Sequence, residues 1–334
     1  MPALDPDPDP FASRFHGPIP DIPDDAYRVL LTGFGPFFRY RENPSWLAAR
    51  PLNNVTFHFD PSPDRMVEDD LPPAANGRGR ARLIHITSLQ LPVTYQAVLD
   101  CGPGFHARPP VLPPSSDPLH PLAPPPEGGY DFIFHLGLAG RGPLRMERLA
   151  HKIGYRMKDT AGQHAPIVDY LPDPATLEQS QAEVLEHAAR LAAFLGNRVT
   201  EGVMDVHGPL DAVQDSPTRG FGKGYESFVD DMFTAIDVEK LVYDLKEQGI
   251  DTVYSSMDAG HYVNDFLYYC SLAESRRTAT KHDRTKLTRV LFMHCPPAGQ
   301  PVSTQEVIDA VKKIIFWVCK DEDTIPPVPP LTGR

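Results

Sequence analysis

The chain has 334 residues, 38 of them proline, and a formal net charge of −12 with histidine neutral. That charge disfavours nucleic acid and anionic membrane as partners, because both are bound through basic patches. The N-terminus lacks a basic and an apolar signal region, no window reaches membrane-spanning length, and Cys101, Cys270, Cys295 and Cys319 are too widely spaced for a disulfide or zinc pattern; a cytosolic protein without metal or cofactor is the expectation.

Residues 1–26 carry Asp-Pro repeats and no apolar period, and read as a disordered acidic tail. Arg28–Thr32 is a β-prone run that ends in Gly33-Phe34-Gly35-Pro36-Phe37, and Arg82–Thr87 is a second strand. Leu91-Pro92-Val93-Thr94-Tyr95 leads from it into a helix through Asp100. Residues 102–128 read as a proline-rich surface insertion, followed by a third strand over Tyr130–Leu136 and the turn Gly137-Leu138-Ala139-Gly140. A capped helical period covers 176–195, inside an extra excursion near 172–215, and Asp237 to Glu247 is a further helix. A short strand at 252–254 is followed by a turn and a helix beyond Gly260. Val290–His294 is the last strand. Ser303 and Glu306 then cap a helix whose buried stripe is Val307, Val311, Ile314, Ile315 and Val318, and 323–334 is a proline-rich tail. Alternating strands and helices predict an α/β fold in which sites gather at the carboxyl ends of strands.

Four segments carry side chains with a chemical reading beside an ordinary one. Phe34 and Phe37 could line a small apolar pocket or simply pack into the core. Glu147, between Arg145 and Arg148, reads in isolation as part of a solvated face. His294 ends an apolar strand, a common structural place for histidine, and is also the side chain whose unperturbed pKa suits proton transfer near neutrality. Asp258-Ala259-Gly260-His261-Tyr262-Val263-Asn264-Asp265 enters a helix, whose first free N–H groups and dipole suit an anionic nucleophile or an oxyanion. Cys270 and Cys295 read as buried small hydrophobes.

Together Thr32–Phe37 with Asn43-Pro44-Ser45-Trp46, Leu144–Ala150, Asp258–Tyr269 and His294-Cys295-Pro296-Pro297 resemble pyroglutamyl peptidase I. Tyr268-Tyr269-Cys270-Ser271-Leu272 is similar to its eukaryotic branch. The resemblance implies a three-layer αβα sandwich around a mixed, mostly parallel sheet, formed as one domain over 27–322 with insertions at 102–128 and 172–215. It implies removal of N-terminal pyroglutamate from peptides by a Cys-His-Glu triad without cofactor or metal. Glu147 takes the place of the acid, His294 that of the general base, and Asn264 stands at the nucleophile position. Phe34 and Phe37 would flank the flat pyrrolidone ring, Asn43 would support the site, and Tyr262 and Val263 would touch substrate. An amide is no nucleophile, so impaired activity is expected. The alternative is a non-catalytic protein that binds pyroglutamyl ends, or an interaction protein whose 102–128 segment docks aromatic-grooved domains.

Overall fold

The protein is represented by a computed structural model that describes residues 19–59, 82–115, 117, 119–169, 217–282 and 287–320. Residues 1–18 of the expected acidic tail, the proline-rich tail at 323–334 and the whole helical excursion at 172–215 fall outside the described residues.

In chain order the elements are β1 (Tyr27–Phe34), α1 (Pro44–Ala49), β2 (Thr56–Phe59), β3 (Arg82–Leu91), α2 (Tyr95–Phe105), β4 (Phe132–Leu138), β5 (Leu144–Glu147), β6 (Leu149–His151), β7 (Asp231–Phe233), α3 (Val238–Glu247), β8 (Val253–Ser256), α4 (Val263–His282), β9 (Arg289–Cys295) and α5 (Thr304–Lys320). Seven strands form one sheet in the order β2-β3-β1-β4-β9-β5-β8, and β6 pairs with β7 apart from it. The β3, β1, β4 and β9 strands run parallel, β2 runs against β3, β5 runs against β9, and β8 runs with β5. This is the expected mixed, mostly parallel α/β sheet.

Successive side chains of a strand point to opposite faces, and here both faces are apolar. Val29, Leu31, Ile84, Ile86, Phe132, Phe134, Leu291 and Met293 pack with α1, α3 and α5. Leu30, Leu89, Leu91, Ile133, Val290 and Phe292 pack with α2 and α4. Continuous apolar runs are what a parallel sheet covered on both faces requires. Capping follows the sequence: the Asp237 side chain accepts from Lys240 N–H at the start of α3. At α5, Ser303 N–H donates to Glu306 (2.7 Å) while Glu306 N–H donates to Ser303 Oγ (3.2 Å).

Two expectations need correction. The proline-rich stretch does not begin at Gly102, because α2 continues to Phe105. Gly102 serves a close approach to α4, since a Cβ there would lie 2.6 Å from Cys270 Sγ. Nor is the rest of the stretch a free excursion. His120 and Ala123 are buried, and His120 Nε2 meets the Ser88 carbonyl at 2.9 Å. At the other end, the acidic tail is ordered by its last residues, with Ala26 buried and its N–H donated to the Pro23 carbonyl (3.0 Å). Among the described residues no helix is long and apolar enough to cross a membrane.

Candidate active site

The carboxyl ends of β4 and β9 meet the start of α4. In the β4–β9 register Gly137 stands beside His294. A Cβ on Gly137 would come within 2.6 Å of the Phe292 ring and 2.9 Å of Asn264 Nδ2, so only glycine leaves space for the amide. The antiparallel β5 strand supplies the carboxylate. Arg145 lies directly opposite His294, and Glu147 opposite Phe292. Glu147 is therefore the diagonal neighbour of His294 on the same face of the sheet, within reach of a long side chain.

These placements join three residues in a line. Glu147 Oε1 is 2.7 Å from His294 Nδ1, and His294 Nε2 is 3.0 Å from Asn264 Nδ2. Asn264 Nδ2 also faces the Leu138 carbonyl at 3.4 Å. An amide nitrogen between two acceptors fixes the proton pattern: Nδ1–H of a neutral imidazole donates to the carboxylate, and Nε2 accepts from the amide. Turning the amide over would set its oxygen against the Leu138 carbonyl. Glu147 is fully buried, its Oε2 makes no hydrogen bond among the described residues, and Arg145 Nε lies 3.9 Å from Oε1. The glutamate between two arginines is thus not on a solvated face. Tyr268 of α4 donates to the Glu147 carbonyl at 2.9 Å and ties helix to strand.

The entry to α4 is built by side chains that substitute for backbone partners. Asp258 Oδ1 accepts from Gly260 N–H at 2.9 Å, and Gly260 takes φ +74°, a conformation that favours glycine. Tyr262 accepts the first helical hydrogen bond, from Phe266 N–H at 2.9 Å. Val263 is fully buried and anchors the first turn.

The remaining predicted residues divide between wall and support. Asn43 is buried; its Oδ1 accepts from Ser45 N–H (3.1 Å) and Ser45 Oγ (2.9 Å), while Nδ2 donates to the Gly35 carbonyl (3.0 Å). It holds the loop that carries the two phenylalanines. Phe34 itself is buried in the core beneath α2 and α4. Phe37 is partly buried with its ring 6.0 Å from that of Tyr262, which in turn stands 6.0 Å from Tyr95. Phe37, Tyr262 and Tyr95 make an aromatic wall two residues before Asn264. Phe34 and Val263 offer almost no exposed surface in this state. Cys270 and Cys295 are both fully buried, and burial pushes each thiol up to about 12. Neither is an accessible thiolate.

Sequence reasoning missed a second polar cluster at the start of α4. Asp265 is fully buried and its Oδ1 accepts His151 N–H at 3.1 Å. Its Oδ2 lies 3.0 Å from His151 Nδ1 and 3.8 Å from His261 Nδ1. Burial opposes a charged His151, but Asp265, helped by Asp231 and Asp258, outweighs it and holds the imidazolium up to about 9. No sequence period links residue 151 to 261 and 265. Only the fold does.

The chain as a whole resembles known proteins. Mouse and human pyroglutamyl-peptidase 1 are each 22% identical to it over 289 residues, which is 86% of this chain and 87% of theirs. The chain is similar to pyroglutamyl peptidase I. Pyroglutamyl peptidase I from Bacillus amyloliquefaciens has the same fold, with a TM-score of 0.51, 18% identity, and coverage of 89% of this chain and 98% of that one. No protein-family model matches the chain. The similarity to the mouse and human proteins spans 289 residues rather than one local motif.

Proposed function

We propose that this chain is a pyroglutamyl-peptidase-I-type protein that binds pyroglutamyl or similar small cyclic-amide peptide ends with hydrolysis strongly impaired. The observation that carries this reading is the Glu147–His294–Asn264 line, which has the acid and the imidazole of a triad and an amide at its third place. In triad chemistry the imidazole Nε2 lone pair takes the proton from the nucleophile as it attacks. Here that lone pair already accepts from Asn264, whose nitrogen is delocalised into its carbonyl and cannot form an acyl intermediate that water would release. Loss of a triad nucleophile leaves only binding and oxyanion effects, a deficit on the order of a million-fold in turnover. In this reading Phe37 and Tyr262 face the pyrrolidone ring, the buried Phe34 and Val263 back that wall, and Asn43 braces the loop between Phe34 and Phe37. Residues 27–322 act as one cytosolic domain with insertions between the end of α2 and residue 128 and at 172–215.

A paired assay tests the reading. The native protein and Asn264→Cys are compared on a chromogenic pyroglutamyl substrate, with binding of a pyroglutamyl peptide followed by calorimetry. Saturable binding with background turnover is expected of the native chain, and hydrolysis above background of the variant. Native turnover equal to that of Asn264→Cys, or no binding by either, sinks it. An interaction role for the proline-rich stretch has less support, because His120 and Ala123 pin that stretch to the body.

A further inference from the structure

We propose that His151, His261 and Asp265 form a binding site for a single divalent transition-metal ion of the zinc class at the start of α4. The three side chains present ligand atoms that all lie within 4.8 Å of one another. Asp265 Oδ2 is the common point, 3.0 Å from His151 Nδ1 and 3.8 Å from His261 Nδ1. A tetrahedral ion with bonds of about 2.0–2.1 Å sets its donors about 3.3 Å apart. The present separations bracket that value, and rotation of the partly exposed His261 ring closes the widest one.

The surroundings fit a ligand set and not merely a chance meeting. The second oxygen of Asp265 is held by the His151 backbone N–H at 3.1 Å, the kind of outer bond that orients a coordinating carboxylate. Tyr155 donates to the His151 carbonyl and steadies β6 from the other side. Gly154, at φ +103°, passes so close that a Cβ there would meet His261 Nδ1 at 3.0 Å. Two imidazoles and one carboxylate suit zinc and its first-row neighbours better than magnesium or calcium, which favour oxygen alone. Three protein donors leave a position for water or a ligand atom. The side chains of His151 and His261 remain 15% and 16% exposed, so an ion can enter.

Two forces oppose binding. The positive end of the α4 dipole repels a cation, and the proton between His151 and Asp265 must leave before the ion can bind. Asp231 and Asp258, both close enough to act on His151, add negative charge on the side of the ion. The site stands apart from the Asn264 line, since adjacent residues of a helix point about 100° apart.

The test is titration of chelator-treated full-length protein with Co²⁺, followed by its visible d–d absorption, and displacement by Zn²⁺. One equivalent of Co²⁺ is expected to give a saturable spectrum that one equivalent of Zn²⁺ removes. His261→Ala, checked for native circular dichroism, weakens both ions at least tenfold. His151→Gln, which keeps a hydrogen-bonding group beside Asp265, does the same. His164→Ala, at an exposed histidine outside the cluster, leaves both titrations unchanged. Absence of a one-equivalent endpoint, or equal affinity in the native, His261→Ala and His151→Gln proteins, overturns the proposal.

Discussion

The Asn264 amide nitrogen lies 3.0 Å from Nε2 of His294 and occupies the lone pair that a catalytic imidazole would offer to a nucleophile. Asn264→Cys replaces this donor by a thiol facing the same nitrogen, with Glu147 already on the other side. The variant is expected to gain pyroglutamyl hydrolysis of about a thousand-fold or more over the native chain, part of what a nucleophile is worth in such sites. Adding His294→Gln should return the rate to background. A gain that survives the loss of His294 would mean that the thiol works without this imidazole.

Gly137→Ala tests how tightly the site is packed. The new methyl would stand 2.6 Å from the Phe292 ring and 2.9 Å from Asn264 Nδ2, and both lie in the core or against it. Overpacking of this kind costs about 1–3 kcal/mol. Urea denaturation should show the midpoint fall with the slope unchanged, and the Asn264→Cys gain should shrink when the two substitutions are combined.

Asn43→Ala removes three hydrogen bonds at once, two that start α1 and one to the Gly35 carbonyl. Loss of the cap alone costs about 0.5–2 kcal/mol. Because the same side chain braces the loop of Phe34 and Phe37, calorimetric affinity for a pyroglutamyl peptide should fall together with stability. Unchanged affinity in a folded Asn43→Ala protein would separate that loop from the ligand.

Gly102→Ala brings a methyl to 2.6 Å from the Cys270 sulfur, where α2 crosses α4. The single substitution is expected to destabilise by about 1–3 kcal/mol. Cys270→Ala in the same chain removes the opposing atom, so the double variant should be more stable than the sum of the singles predicts. A strictly additive cycle would place the strain elsewhere.

Acid should weaken the fold through three histidines buried in or beside the sheet. Burial, joined by Arg28 at His85, by Arg108 at His106 and by the neighbouring His106 imidazole at His135, pushes His85 down to about 4 and His106 and His135 down to about 3. Each is neutral when folded and takes up a proton in the unfolded chain below about pH 6.5. Between that pH and the folded values the unfolded state binds more protons, so stability falls as pH drops, on the order of 1 kcal/mol per site per pH unit. Urea midpoints at pH 7, 6 and 5 give the slope, and His106→Gln should flatten it.

Most of the strands and helices that pack on the two apolar cores were readable in the chain, α1 and β2 aside. Val29-Leu30-Leu31 and Val290-Leu291-Phe292 are apolar on both faces, and Asp237, Ser303 and Glu306 mark helix starts by side chains that cap them. β5 was not readable as a strand. Leu144 and Met146 face one core while Arg145 and Glu147 face the other way, and only the β9 partner turns that charged alternation into a buried one. β6 and β7 are three residues each and carry no period of their own. The site became legible through resemblance across distant segments, since spacing alone read Glu147 as a solvated side chain. The His151–His261–Asp265 group lies beyond either method, because its members meet only after α4 has docked on β6.

The diagonal step between Glu147 and His294 has a last consequence. Side chains alternate along a strand, so sliding β5 by one residue against β9 would carry the carboxylate to the α1, α3 and α5 side and leave the imidazole facing Met146 or Leu144. Sheet alignment and the acid–base pair are therefore locked to each other, whether or not any bond is ever cleaved. Survival of that pair in a chain of this fold measures the demands of assembling the barrel-less, two-faced sheet. It is no gauge of turnover, which in the proposed reading turns on the side chain at position 264.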